Sequence, residues 1–318
     1  MADACTPLQW TDEQWSRVRR VVYEEARGAR VAGNFLPLFG PLGPDASYVG
    51  KQVLSEPDSA SDPADQVPGF TVADTETLKL ATLQTKVYLR DAQVTDPELS
   101  SALIAFRRAA NVLARLEDDI IFNGQNGPNQ GPKPAGRSID GQGGARKGSH
   151  AALWEVRGGQ DSDGLLSAPS KSIASKSAGT PPAFEELGAL GEALVSFISA
   201  AVGHLEAAYH LGPFACVLDQ VYFSAVQTPN QKSLVLPQDR ILPFLGGGAL
   251  VRSSTLRPRS GVVVALGGAP VDLVVGTDIC VDFLQVTEGA LFVFRVFEKI
   301  VLRIKEGSAI RSIDLKGP

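Results

Sequence analysis

From Asp96 to Phe122 the chain carries one uninterrupted helical pattern. Asp96 followed by Pro97 is an N-cap and first-turn pair, since the carboxylate satisfies free N–H groups and proline's fixed φ suits the first turn. Leu99, Leu103, Phe106, Ala110, Leu113 and Ile120 then recur at helical intervals. The spacing predicts a helix of about seven turns at 3.6 residues per turn, long enough to form the backbone of a flat domain.

An earlier helix is marked as clearly. Thr11 and Gln14 have capping-box spacing, Trp10 and Trp15 sit where a hydrophobic staple places them, and Trp15, Val18 and Val22 make an apolar stripe ending near Gly28. The following stretch, Asn34 to Gly43, holds prolines that preclude a helix interior and apolar side chains that need cover, so it should lie extended against a neighbour. From Pro44 to Pro68 the composition turns to Asp, Ser, Pro and Gly, an exposed excursion with little core of its own. Phe70–Val72 and Leu78–Leu89 read as strands of a protruding arm.

Residues 123–182, rich in Gly, Pro, Asn, Gln and Ser, bury too little apolar surface to offset chain entropy and read as loop. A helix rich in Ala and Leu follows over Glu185–His210, stopped by Gly212-Pro213. The remainder reads as strands at Phe214–Leu218, Gly261–Leu266, Val271–Val275, Val281–Val286 and Leu291–Lys305. The pattern is α+β, with strands dominating the last third.

Composition bounds the chemistry. With 44% hydrophobic and 20% charged residues among 318, the chain can bury a sizeable core. Thirty Lys and Arg against 35 Asp and Glu leave a mildly acidic balance and no basic tract of the kind that neutralises phosphates, so nucleic acid is not an expected partner. The N-terminus lacks a basic region followed by an apolar one, and no run approaches the roughly 20 apolar residues of a membrane span. A cytoplasmic location without membrane association is the expectation.

Candidate reactive groups fail to converge. Cys5, Cys216 and Cys280 are odd in number and lack C-x-x-C spacing, so they read as incidental thiols. His204 and His210 are six apart on a helix and face different ways; with His150 they read as solvated or capping residues, not metal ligands. Glu117, Asp118 and Asp119 diverge by about 100° each on a helix, which predicts an exposed acidic face and intersubunit salt bridges rather than a ligand site. Gly246–Gly248 and Gly267-Gly268 lack the context of a phosphate cradle and read as turns. There is no G-x-S-x-G or H-E-x-x-H motif. No enzyme, metal or cofactor is expected.

Several segments, in this order, resemble the encapsulin shell proteins, also called linocin-like proteins, which share the fold of tailed-phage major capsid proteins. They are Leu8-Gln-Trp-Thr11-Asp-Glu-Gln-Trp15, Phe35-Leu-Pro-Leu-Phe-Gly40-Pro41-Leu-Gly43, and Leu116-Glu-Asp-Asp-Ile-Ile-Phe-Asn-Gly124. Gly164-Leu165-Leu166, Gly212-Pro213-Phe214 and the ending Val301-Leu-Arg-Ile-Lys305 complete the series. Two departures stand out: the stretch between Phe122 and Gly164 is longer than the family's hairpin, and the Trp that some relatives use to stack a flavin is unmatched, so no bound flavin is expected.

The resemblance implies a phage major-capsid-like fold with a peripheral domain, an axial domain and an extended loop. Its parts would be residues 1–43 and 92–180 of the peripheral domain with a 123–163 insertion, an arm at 44–91, an axial domain at 181–275 and returning strands at 276–318. It further implies an icosahedral homo-oligomer that encloses a cargo enzyme, such as a ferritin-like protein or a dye-decolourising peroxidase, through the cargo's C-terminal peptide. Phe35, Leu36 and Leu38 match the family's groove-forming stretch, with Asp282, Leu284 and Val286 as a second wall. By position, Pro229, Asn230, Gln231 and Lys232 would form the five-fold pore loop. The alternatives are a prophage or viral capsid protein of the same fold and a bacteriocin-like lytic protein.

Overall fold

The computed structural model describes residues 8, 10–55, 70–125, 153–159, 163–167, 173–174, 184–229 and 235–314. Helix α1, Asp12–Ala29, opens on the expected capping box: the Gln14 N–H donates to Thr11 Oγ1 (3.2 Å) and the Thr11 N–H to Gln14 Oε1 (2.9 Å). Trp10 stacks on Phe294 with ring centroids 4.8 Å apart and meets Trp15 edge-on at 5.0 Å. Its indole N–H donates to the Val94 carbonyl, so the staple also anchors the chain entering the helix.

A five-stranded sheet forms the larger layer, in the order β1 (Leu38–Phe39), β10 (Val271–Val286), β11 (Leu291–Ile304), β4 (Ala81–Arg90), β5 (Glu155–Gly158). All neighbours are antiparallel except β1, which runs parallel to β10 with Leu38 opposite Leu273. Helix α3, Ser100–Asn123, lies on this sheet beside α1 and buries Phe106, Leu113, Ile121 and Phe122 against Leu83, Leu89, Phe294 and Val296. The short helix α2, Asp91–Val94, joins β4 to α3. Strands β2 (Tyr48–Ser55) and β3 (Thr71–Lys79) pair only with each other, in a ribbon whose root packs Val49 and Leu78 on Leu80, Val274 and Val301.

The second sheet has the order β6 (Ile173–Ala174), β12 (Ile310–Asp314), β9 (Ser260–Ala265), β7 (Phe214–Leu218), β8 (Leu250–Arg252). Successive side chains of a strand point to opposite faces. Phe214, Cys216, Leu218, Val263 and Ala265 accordingly pack under α4 (Phe184–Ala207), α5 (Gln220–Val226) and α6 (Pro237–Ile241), while Val217, Val262 and Val264 join the core of the larger sheet. Both faces of β7 and β9 are therefore buried, and the two layers share one apolar interior.

Several expectations are corrected. The long helix begins at Ser100 rather than Pro97: the Asp96 carboxylate accepts from the Glu98 and Ser100 N–H groups in a turn before it, and Leu99, with φ +52°, is tucked fully inside. The segments at 271–275 and 281–286 are one strand, because bulges at Val275/Thr277 and Thr277/Cys280 break the alternation that would have joined them. From Ala81 onward the supposed arm strand belongs to the larger sheet, paired to β11 along its whole length. Leu187–Ala207 is, by length and composition, apolar enough to cross a membrane, although no such run was expected; here it covers the second sheet. Glu117 and Asp118 are 1% and 2% exposed, not an outward acidic face, for a reason that belongs to the site below. His210 is buried, with Nε2 2.8 Å from Ser308 Oγ, whereas His204 is exposed.

Candidate assembly and cargo-binding surfaces

The extended stretch after α1 is fixed at both ends. Asn34 donates its amide to the Arg27 and Arg30 carbonyls at the end of α1. Farther on, the Leu42 N–H donates to the Val275 carbonyl (3.0 Å) and the Gly43 N–H to that of Gly276 (2.9 Å). Gly40 has φ +126°, and a Cβ there would stand 2.2 Å from the Val275 oxygen, so only glycine lets the chain lie this close to β10. Leu36 is buried and Phe35 half-buried on the core, while Leu38, Phe39 and Leu42 are 62%, 43% and 40% exposed. The result is a rigid strand edge presenting three large apolar side chains to solvent.

Beneath it lies a buried ionic hub. Arg30, at the C-cap of α1, contacts Glu117 of α3 (2.5 Å), Asp278 of β10 (3.2 Å) and Glu298 of β11. Asp118 points the other way and accepts from the Val31 (3.0 Å) and Ala32 (2.8 Å) N–H groups, capping the turn after α1. Burial opposes ionisation: it pushes Asp118 and Glu298 up to about 7, although the Ala32 and Val31 amides oppose the first shift and Arg30 the second. Glu117 also rises well above the ordinary range, through burial and then the neighbouring Glu298 charge. This explains the buried acidic pair, whose partners come from the end of another helix.

A second cluster roots the ribbon. Arg303 makes a bidentate pair with Asp272 (2.9 and 2.7 Å), and Lys305 joins the same carboxylate at 2.8 Å. The Arg303 guanidinium lies 4.4 Å from the Phe39 ring centroid and reaches the Gly50 carbonyl at 3.4 Å. One side chain thus touches the exposed apolar edge, the ribbon and both long strands.

The structure gathers Phe35, Leu36 and Leu38 but leaves the proposed second wall elsewhere. Leu38 faces Leu273, and Leu284 is eleven residues farther along β10, roughly 35 Å away at about 3.3 Å per residue. There Asp282 pairs with Arg295 (2.7 Å), Leu284 is 43% exposed at a bulge, and Val286 packs on the core. Phe39 and Leu42 were missed as surface groups: adjacent Leu38 and Phe39 are both exposed, so no alternation marks them. Pro229 is exposed after α5; Asn230, Gln231 and Lys232 lie outside the described residues, as do Cys5 and His150. The Cys216 and Cys280 thiols are both pushed up to about 12, chiefly by burial, and so are poor nucleophiles. Among the described residues no three His, Cys, Asp or Glu side chains are grouped to hold a metal ion.

A family model described as encapsulating protein for peroxidase, Linocin_M18, matches residues 6–133 and 163–301. The type 1 encapsulin shell protein EncA of Myxococcus xanthus (strain DK1622) is 25% identical over 323 residues, spanning 100% of this chain and 97% of that relative. Among solved structures, the virus-like particle from Pyrococcus furiosus aligns with a TM-score of 0.62 at 16% identity, covering 95% of this chain and 100% of the other. The capsid of Myoviridae phage XM1 aligns with a TM-score of 0.54 at 12% identity, over 87% and 88% of the two chains.

Proposed function

Because the chain belongs to the Linocin_M18 family of encapsulating proteins, and is a shell-forming protein with the phage major-capsid fold, we propose that its copies close into an icosahedral compartment around a cargo enzyme in the bacterial cytoplasm. The observation that carries this reading is the ribbon: every residue of β3 from Thr71 to Thr77 is exposed, and two strands alone are marginal in water. Such an element requires neighbours, and identical copies in a closed point group supply them at every subunit. In this reading the larger sheet with α1 and α3 is the peripheral part, the second sheet with α4 to α6 the axial part, and β2 with β3 the extended loop. Pro229 to Lys232 form the axial pore loop, and function lies in interfaces rather than in a catalytic pocket.

Cargo would dock on the edge formed by Leu38, Phe39 and Leu42, with half-buried Phe35 beside them and Leu36 supporting them from the core. A short apolar peptide gains affinity there at about 25 cal/mol per Å² of apolar surface covered, and the hydrogen bonds to β10 keep the edge from reorganising. A C-terminal peptide on a peroxidase or a ferritin-like enzyme is the partner proposed. The test is expression of the chain with and without such an enzyme, followed by size-exclusion chromatography and negative-stain electron microscopy. Uniform closed particles are expected from the chain alone, and Leu38→Asp should preserve them while removing co-purified cargo. A soluble monomer or dimer from the unmodified chain would overturn the shell reading; normal loading of L38D particles would overturn the docking edge.

A further inference from the structure

The outward face of the two long helices on the larger sheet is basic, although the chain carries a formal net charge of -5. Helices α1 and α3 run side by side in the same direction: Arg17 pairs with Glu98 at 2.8 Å, Asn111 donates to Glu25 at 2.7 Å, and Arg30 reaches Glu117 at the far end. Away from the sheet, α1 exposes Arg20, Tyr23 and Arg27, and α3 exposes Ile104, Arg107, Arg108 and Arg115. Arg20 and Arg27, like Arg108 and Arg115, are seven residues apart. That is nearly two full turns, so the members of each pair point the same way, about 10 Å apart along the axis. The result is two arginine rows on helices whose axes lie about 8–10 Å from each other.

Nothing within the subunit uses this charge. The side chains of Arg20, Arg27, Arg107 and Arg108 make no hydrogen bond or ion pair among the described residues. From Ser100 to Leu116, α3 has no Asp or Glu. The exposed acids of α1 are Asp12 and Glu13, in its first turn, and Glu24, whereas Glu25 is turned to Asn111. The sequence shows no basic tract because the two rows come from segments far apart along it, and the fold lays them together.

The chemistry of the face selects among anions. Arginine's planar fork and weak hydration suit phosphate oxygens. A folded protein partner would bring an apolar centre to its interface, and on α1 and α3 the exposed large apolar side chains are Tyr23 (44%) and Ile104 (67%), one on each helix. Tyr23 stands between Arg20 and Arg27, an aromatic ring within a row of cations, where an unpaired base can stack while its phosphates are held on either side. Arg27 ends its row beside Asn34, whose amide bonds the Arg27 carbonyl and whose successor Phe35 opens the proposed cargo edge. In the shell reading the two surfaces therefore face the interior together.

We infer that the paired arginine rows of α1 and α3 are a binding face for single-stranded RNA, held through its phosphates with a base on Tyr23. The face stands independently of the shell reading; enclosure of the RNA rests on it. Each phosphate held releases a counterion, so binding weakens steeply as salt rises.

Two measurements on the full chain test it. In the first, purified particles are treated with ribonuclease, washed and denatured, and the released nucleic acid is measured by absorbance and gel electrophoresis. Ribonuclease-resistant RNA is expected. Combining Arg20→Gln, Arg27→Gln, Arg107→Gln and Arg108→Gln should leave particles of the same size with at least about tenfold less RNA; the four corresponding lysine substitutions, which keep the charge, should retain it. Wild-type particles free of RNA, glutamine particles that carry as much as wild type, or an acidic protein co-purified in place of RNA would overturn the proposal. In the second, RNA-bearing wild-type particles are irradiated with ultraviolet light and digested for mass spectrometry. Nucleotide adducts are expected on Tyr23 and on neighbouring α1 and α3 peptides; adducts confined to other segments would sink the proposal even if the glutamine chain misfolds. A wild-type chain that stays unassembled counts against the shell reading alone. The same variants are then compared as soluble chains by fluorescence anisotropy of a labelled oligouridylate, and equal affinities, or no binding by wild type, would overturn the RNA face.

Discussion

Arg30 meets more carboxylate than one guanidinium can neutralise, since Glu117, Asp278 and Glu298 all contact it. Burial of Glu298, and of Asp118 beside it, makes the fold sensitive to alkali rather than to acid. Glu298 titrates near 7 in the folded chain against 4.5 when free, and Asp118 near 7 against 3.8. Between those values the folded form holds protons that the unfolded chain has released. The associated stability is fully present below about pH 4 and is lost as pH rises through 7. At about 1.4 kcal/mol per unit, the loss is on the order of a few kcal/mol per group. The thermal midpoint should therefore fall between pH 5 and pH 8, and Glu298→Gln, neutral at every pH, should flatten the decline; an unaltered slope would place the titration elsewhere. None of this was legible in the residues alone. Glu117-Asp118-Asp119 reads as a solvated run because helix geometry sends consecutive side chains in different directions, which is also how one acid reaches Arg30 and the next reaches the amides of Val31 and Ala32. Only the family motif set those positions apart.

Helix α3 ends on a contact made from far along the sequence. Its last carbonyls lack partners within the helix; the Leu165 N–H donates to the Ile121 oxygen and the Leu166 N–H to that of Phe122, both at 2.9 Å. Gly164 sits so close that a Cβ would lie 2.2 Å from the Gly124 nitrogen and 2.6 Å from the Phe122 oxygen. Gly164→Ala should push this cap away and cost about 1–3 kcal/mol through unsatisfied buried carbonyls, read as a lower denaturation midpoint with an unchanged m-value. A midpoint equal to that of wild type would mean that the cap is dispensable. At this scale the sequence was a good guide wherever one period held: α1, α3, α4, β7, β9 and β11 all stand within a few residues of expectation. It failed where periodicity was interrupted or short. Bulges divided β10 in the reading, β2 falls in the 44–68 stretch whose composition reads as an exposed excursion, and β5, β6, β8 and the short helix α2 carry too few residues to declare a pattern.

The molecule as a whole is a packed body with one unpacked ribbon, and its apolar interior runs through both sheets, so the two layers should unfold together. The fold class and the shell function were legible because short motifs occur in family order over nearly the full length. The apolar edge was only half legible: sequence order says nothing of the roughly 35 Å that β10 places between Leu38 and Leu284. Beyond α3 the chain passes from Gln125 to Leu153, whose carbonyl accepts from Thr85 Oγ1 just before β5 pairs with β4. Loop-closure cost grows only about 0.6 kcal/mol for each doubling of length. Replacing residues 127–151 with a short Gly/Ser linker should accordingly leave both the thermal midpoint and particle formation nearly unchanged; loss of particles would give that stretch a part in assembly. Gln125 lies against Gly159 at one end of β5 and Leu153 stands at the other, so this point of the subunit is a socket whose two lips are a strand's length apart, roughly 20 Å at about 3.3 Å per residue: a guest domain whose own termini are spaced in that way can be carried there, repeated over every tile of the shell.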